Sequence, residues 1–319
     1  MFDFILGGSA MENIISIIIP CYNEQETVNR FYEEVRKVTD KILDYSFEFI
    51  YVNDGSKDQT ASLVKELHAK DGRVCLVDFS RNFGKEAAML AGMELAQGDA
   101  IVIMDVDLQD PPELLPKMIK LYEEGYENIY TRRHNRDGEP PIRSFFANLF
   151  YKLINRMSDV EIIDGARDYR LLSRRAVGEL IKLKETNRFS KGLFQWVGYD
   201  SICLEFDHVE RVAGETKWSF KKLVDYAIEG ITAFSNAPLR FATYAGIGIA
   251  LISFLYLIYI FIATMVNGST TAGWPSLVCI ILFLGGIQLI FLGVIGEYIG
   301  RIYNEVKERP IYIVKEVVK

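Results

Sequence analysis

The sequence predicts an α/β fold with a mostly parallel sheet, followed near the C-terminus by two helices that cross a membrane. Three observations carry this expectation. Short β-branched apolar runs alternate with helical spacings from Ile14 to Met104; polar clusters fall at the end of each run; and two long stretches near the C-terminus hold no charged residue.

The elements follow in order. Ile14 to Ile19 is apolar and β-branched and stops at Pro20, which reads as a buried parallel strand. Glu24 to Val38 has helical spacing, with Val28, Phe31, Tyr32 and Val35 on one side. Phe47 to Val52 gives a second strand, closed by the turn-forming run Asn53-Asp54-Gly55-Ser56. Lys57 to Ala69 reads as helix, Val74 to Phe79 as strand, Lys85 to Ala96 as helix and Ala100 to Met104 as strand. Such alternation implies helices layered on a mostly parallel sheet. Beyond Pro111 the spacing predicts a helix over Leu114 to Glu124, a strand over Asn128 to Thr131, and a helix over Ser144 to Met157. Between the last two lies a polar loop, Arg132 to Arg143, with four arginines. Loops of that length are uncommon unless functional or mobile.

Phe241 to Val266 and Ser276 to Gly296 contain no Asp, Glu, Lys or Arg. Each exceeds the roughly 20 residues that a helix needs to cross a hydrocarbon core. The connection Asn267 to Pro275 is uncharged and carries Gly268, Gly273 and Pro275, so two antiparallel spans follow. Lys221, Lys222 and Arg240 flank the first span and Arg301 and Lys307 the second, while the connection has no basic residue. Positive charge gathers on the cytoplasmic side, which places the N-terminal domain and the C-terminal tail there. Trp218 to Ala233 mixes apolar residues with Lys221, Lys222 and Asp225, a pattern that suits a helix in the membrane interface or one packed on the domain. The predicted organisation is therefore a tag or upstream extension over 1–10, the α/β domain over 11–217, interfacial helices over 218–240, a transmembrane hairpin over 241–300 and a tail over 301–319.

The net charge of −7 argues against nucleic acid as a partner, since phosphate-backbone binding needs concentrated Lys and Arg. Cys21, Cys75, Cys203 and Cys279 are scattered and form no C-x-x-C pair, which argues against a disulfide framework or zinc site. His68, His134 and His208 show no ligand spacing.

Ligands of parallel sheets sit beyond the carboxyl ends of the strands. Four polar clusters fall there: Tyr22-Asn23-Glu24, Asp54-Gly55-Ser56, Arg81-Asn82-Phe83-Gly84-Lys85 and Asp105-Val106-Asp107. Two carboxylates at the Asp105-x-Asp107 spacing can bind a hard divalent cation, Mg²⁺ or Mn²⁺, together with substrate phosphates. Taken together the clusters point to a nucleotide-type site.

As an ordered set, Ile19-Pro20-Cys21-Tyr22-Asn23-Glu24, Val52-Asn53-Asp54-Gly55-Ser56, Ser80-Arg81-Asn82-Phe83-Gly84-Lys85 and Asp105-Val106-Asp107-Leu108-Gln109-Asp110-Pro111-Pro112 resemble the motifs of family 2 glycosyltransferases, whose catalytic domain has the Rossmann-like GT-A fold. Within that family the chain is similar to polyprenyl-phosphate glycosyltransferases, both the dolichyl-phosphate mannose synthases and the bacterial GtrB type with two C-terminal membrane helices. The resemblance runs from Ile14 to the tail.

This resemblance implies a nucleotide-sugar donor, a polyprenyl-phosphate acceptor in the bilayer, and a homotetramer. Pro20, Tyr22, Glu24 and Asp54 would line the base and ribose pocket, with Lys85 near the nucleotide. Asp105 and Asp107 would hold the metal on the diphosphate, with Gln109 close to the metal or the sugar. Asp168, in Arg167-Asp168-Tyr169-Arg170-Leu171, matches the stretch that carries the family's proposed base, although Arg167 stands where the family has Gly. Arg211 and Lys217, in Arg211-Val212-Ala213-Gly214-Glu215-Thr216-Lys217, match a segment that reaches the phosphates. Arg132, Arg133, Arg136 and Arg143 are candidates for gripping the lipid phosphate. Undecaprenyl phosphate and UDP-glucose are the expected substrates, ahead of UDP-galactose, UDP-N-acetylglucosamine and GDP-mannose. The rival readings are a transferase with another lipid or a polysaccharide acceptor, and a non-enzymatic scaffold. Gln195-Trp196 lacks the arginine pattern of polysaccharide synthases, and the intact Asp105, Asp107 and Asp168 speak against the scaffold.

Overall fold

The computed structural model describes residues 13–133, 155–156, 160, 163, 165–206, 232, 235–267 and 273–319. Ile14–Cys21 (β1), Ser46–Asn53 (β2), Val74–Phe79 (β3) and Ala100–Ile103 (β4) are the four predicted strands. Between them lie helices Val28–Thr39 (α1), Thr60–Lys70 (α2) and Lys85–Leu95 (α3). Leu115–Glu123 (α4), Asn128–Arg133 (β5), Ala166–Ser173 (β6), Arg174–Lys182 (α5), Ser190–Trp196 (α6) and Ser201–Phe206 (β7) complete the layer. The chain then forms Ala237–Asn267 (α7), Trp274–Val306 (α8) and Val314–Val318 (β8).

These strands make one sheet in the order β7-β5-β6-β4-β1-β2-β3-β8. β1, β2, β3 and β4 run parallel, as does the β5–β7 pair, while β6 and β8 are antiparallel to their neighbours. Side chains alternate across the pleat, so Ile15, Ile17 and Ile19 pack under α1, α2 and α4, whereas Ile18 turns to α3, α5 and α6. Helix α3 lies so close to β1 that a Cβ on Gly92 would overlap Ile18. The first residue of α3 is Lys85.

Helix α1 begins at Val28, not at Glu24. Thr27 and Val28 both donate backbone N–H groups to the Glu24 carbonyl, so Tyr22 to Thr27 forms a turn over the end of β1 instead of a first helical turn. β5 extends to Arg133, so Arg132 and Arg133 belong to a strand and not to the predicted polar loop. The predicted interfacial segment 218–233, apart from Thr232, and most of the predicted helix 144–157 lie outside the described residues.

The last strand is the main addition to the sequence reading. Within the predicted tail over 301–319, β8 pairs with β3 and lengthens the sheet. Tyr312 stacks on Phe79 with ring centroids 5.0 Å apart, Lys315 pairs with Asp78 at 3.1 Å, and Lys65 pairs with Glu316 at 2.6 Å. Edge strands are exposed templates for mispairing, and β8 covers one. Tyr312→Ala should therefore lower stability by about 1–3 kcal/mol, the usual cost of removing a partly buried stacked aromatic ring. An unchanged melting midpoint for the detergent-solubilised variant would count against that docking.

Helices α7 and α8 have 31 and 33 residues. Both exceed the hydrocarbon thickness of about 30 Å at 1.5 Å per residue. Ala237–Tyr256 and Phe283–Val306 are apolar enough to cross a membrane by length and composition. Their large side chains, among them Phe241, Leu251, Ile262, Leu289 and Leu292, point outward. β1 to β7 precede this pair and β8 follows it in the same sheet, so the chain returns from the hairpin to the domain it left.

Candidate active site

The parallel strands β1 to β4 end on one edge of the sheet, and β6 enters from that edge. Ile103 of β4 lies opposite Arg170, which carries Asp168 two residues further out, level with the Asp105-x-Asp107 turn. Antiparallel pairing of β6 thus brings residues 63 positions apart into one cleft; no local signal in the sequence specifies it.

Lys85 joins them. Its ammonium group sits 2.6 Å from Asp105 Oδ1 and 2.5 Å from Asp168 Oδ2. Burial disfavours a charged lysine, but Asp105 and Asp168 outweigh it and hold the Lys85 pKa well above its ordinary value. Burial also acts to raise Asp168, and the opposing charges of Lys85, Lys191 and Arg170 instead hold it well below the usual carboxylate range. Asp168 is therefore ionised at neutral pH and poorly suited to taking a proton.

The turn after β4 is locked from behind. Asp107 accepts from the backbone N–H of Gln109 at 3.1 Å, and Leu108 adopts a left-handed conformation with φ 57°. The Gln109 side-chain oxygen accepts from Arg133 at 2.9 Å and from Arg167 at 3.5 Å. Two guanidinium groups thus engage the Gln109 oxygen. Arg167 also pairs with Asp110 at 3.0 Å. Burial pushes Asp110 up to about 6, against the pull of Arg167. The Arg that replaces the family's Gly is thereby explained, because it anchors the buried carboxylate behind the Asp-x-Asp turn.

On the opposite wall, the loops after β1 and β2 are laced together. Asn23, at φ 55°, donates its N–H to Ser56, Glu24 donates to Thr60, and Lys57 donates to Asn23. Pro20 is buried in β1, Tyr22 is exposed at the cleft edge, and Glu24 accepts from Thr27 at 2.8 Å. Asp54 is 4% exposed and does not open into the cleft. Its carboxylate accepts from the N–H groups of Phe83 and Gly84 at 2.6 and 2.9 Å and from the Asn82 amide at 2.8 Å. Burial raises its pKa, partly offset by those N–H groups. Asp54 is consequently a brace that sets the Arg81–Lys85 loop. Gly55 makes the same contact possible: at φ +65° a Cβ would lie 2.6 Å from Asn82 N, so only glycine fits.

Of the arginines expected at the lipid phosphate, Arg132 pairs with Glu205 of β7 and Arg133 reaches Gln109. Arg136, Arg143, Arg211 and Lys217 lie outside the described residues.

Sequence reasoning missed the layer behind Asp168. Glu86, next to Lys85, accepts from both the N–H and the hydroxyl of Ser190, which ties α3 to α6. Arg170 is 1% exposed and lies over the Phe194 ring of α6, 3.6 Å from its centroid. Burial lowers the Arg170 pKa to about 10. No spacing in the sequence links residues 86, 170 and 190; only the packing of α6 across β6 does. Burial also raises Glu86 from 4.5 to about 7 despite the two Ser190 bonds. A carboxyl group whose folded pKa is raised favours the fold while protonated. That contribution is intact below pH 4.5 and is lost as pH rises to about 7. Glu86→Gln keeps an oxygen for Ser190 and removes the charge. It should raise the unfolding free energy more at pH 8 than at pH 5, by on the order of 1 kcal/mol. An equal gain at both pH values would refute this.

Cleft, Asp-x-Asp turn and paired membrane-length helices have the layout of a transferase domain joined to a helix hairpin. The family model described as Glycosyl transferase family 2 matches residues 16–181, the GtrB C-terminal hairpin model matches residues 237–302, and the chain belongs to glycosyl transferase family 2. Similar proteins include the SfII prophage-derived bactoprenol glucosyl transferase of Shigella flexneri, 45% identical over 302 residues, which are 95% of this chain and 97% of that one. The prophage bactoprenol glucosyl transferase homolog of Escherichia coli (strain K12) is 43% identical over 305 residues, 96% of this chain and 99% of that one. The uncharacterized glycosyltransferase YkcC of Bacillus subtilis is 45% identical over 301 residues, covering 94% and 93%.

Proposed function

We propose that the protein transfers glucose from UDP-glucose to undecaprenyl phosphate at the cytoplasmic membrane face, with inversion at the anomeric carbon. The observation that carries this reading is the joining of a cleft holding Asp105, Asp107 and Asp168 to a hairpin whose exit strand, β8, is part of the same sheet. A cleft tied in this way to the bilayer suits an acceptor whose chain stays in lipid while its phosphate is presented at the surface. The two bactoprenol glucosyl transferase relatives support the sugar and the lipid. Arg240, Arg301 and Lys307 at the outer ends of the helices support the cytoplasmic side.

Among the described residues no three His, Cys, Asp or Glu side chains gather as a metal cage. The all-oxygen set of Asp105 and Asp107 nevertheless fits Mg²⁺ or Mn²⁺, which take one or two carboxylates and complete their shell with water and substrate phosphates. When bound there, the ion would offset charge on the departing diphosphate. Pro20, Tyr22 and Glu24 would face the nucleoside, Asp54 would hold the loop that delivers Lys85, and Arg211 and Lys217 would reach the phosphates from outside the described segments. A phosphate monoester has a second pKa near about 6 and is largely dianionic at neutral pH. It is already a nucleophile, so Asp168, itself ionised, orients the acceptor and counters Lys85 more than it removes a proton. Attack opposite the leaving group inverts the sugar.

The test is incubation of the purified protein with undecaprenyl phosphate and separately labelled UDP-glucose, UDP-galactose, UDP-N-acetylglucosamine and GDP-mannose, with and without a chelator. Label from UDP-glucose should enter the lipid extract and vanish with the chelator. Label from another donor alone, or none, would overturn the reading.

A further inference from the structure

Helix α6 crosses the face of β6 that carries Asp168 and Arg170. It is fastened at its first residue, Ser190, to Glu86, the neighbour of Lys85, and at Phe194 to the Arg170 guanidinium. Lys191 lies between those two anchors. The charges around Asp168 do not balance through pairs. Lys85 is held by Asp105 and Asp168, and Arg167 by Asp110. Among the described residues Lys191 has no carboxylate within ion-pairing distance, although Asp168 is the strongest opposite charge acting on it. Burial lowers its pKa, and Asp168, already paired with Lys85, offsets that desolvation only in part. Arg170 adds a second buried cation behind it, with Nε and Nη1 unpartnered. A desolvated cation without a counter-ion is costly, and a dianionic ligand offsets that cost.

We infer that Lys191 receives the phosphate monoester of the acceptor beside Asp168, an inference that rests on the acceptor reading above. The side of the cleft decides which phosphate it is. Asp105 and Asp107 mark the diphosphate side at the end of β4, while α6 stands behind β6 on the Asp168 side. In-line displacement puts the nucleophile on the side of the sugar away from the diphosphate. Lys191 would neutralise one charge of the monoester, and Asp168, fixed by Lys85, would keep the attacking oxygen from collapsing onto the ammonium.

The experiment uses the full chain in detergent, with titrations of farnesyl phosphate and of UDP, and steady-state kinetics with undecaprenyl phosphate. Loss of one charge-assisted contact should weaken farnesyl phosphate binding and raise the acceptor KM about 10- to 100-fold in Lys191→Met. UDP affinity should stay within about twofold, which also reports that the variant is folded. Lys191→Arg should recover most of the acceptor affinity. Wild-type binding that Lys191→Met leaves intact overturns the inference while the acceptor reading stands, as does a change confined to UDP. If the wild-type protein itself binds no prenyl monophosphate, the acceptor reading fails and the inference falls with it.

Discussion

Asp105→Asn should lower kcat/KM for sugar transfer by on the order of 10²- to 10³-fold, the scale of removing a preorganised charge that acts on a leaving group. Asp168→Asn should retain more activity, with a loss on the order of 10-fold. The difference follows from what each carboxylate meets. Asp105 stands at the end of β4 beside Asp107, and its oxygens are the hard ligands that a donor-bound cation would need. Asp168 is held ionised by Lys85, with Lys191 and Arg170 adding to the effect, so its proton affinity is too low for a strong base. An acceptor that arrives as a dianion needs no base. The measurement is initial-rate transfer of labelled glucose into lipid for both variants at saturating Mn²⁺. Equal and complete loss in both would sink this division of roles.

Lys85→Met should produce two effects of opposite sign. In the absence of nucleotide, Mn²⁺ should bind about tenfold more tightly, because the ammonium at 2.6 Å from Asp105 Oδ1 competes with any cation for that oxygen. Transfer should nevertheless fall by on the order of 100-fold. With Lys85 gone, Asp105 and Asp168 lose the ion that holds them in register, and the diphosphate loses a cation at its side. Electron paramagnetic resonance titration of free Mn²⁺ reads the first effect independently of turnover. Weaker metal binding in the variant would mean that Lys85 supports the metal site instead of competing for it. The two outcomes differ in sign, so even a crude titration separates them.

Much of the donor half was legible in the linear chain. Each strand from β1 to β4 is a β-branched run closed by turn-forming polar residues, so strand ends, and hence the cleft edge, could be placed within a residue or two. Asp105, Asp107 and Lys85 could be nominated because they follow those ends directly. The hairpin was equally plain, since a charge-free stretch of that length has few other uses.

The partners of the loop side chains were not legible in the same way. Asp54 follows a strand end, and only the structure brings it the three hydrogen-bond donors of the next loop. Gln109 follows Asp107, and only the structure brings it Arg133 and Arg167. Position along the chain fixes which loop a side chain occupies; the partner it turns to arrives from elsewhere.

The sequence by itself determined the alternating α/β layers, the carboxylate pair at the end of β4 and the two membrane-length helices, because periodicity and charge exclusion are local properties. Only the tertiary structure decided that Lys85 bridges Asp105 to Asp168, that α6 brings Ser190 and Lys191 behind that bridge, and that β8 returns from the hairpin to close the sheet. Those contacts join residues from 20 to more than two hundred positions apart, and their partners are selected by strand pairing and by the cost of leaving buried charge unmatched, neither of which leaves a pattern along the chain.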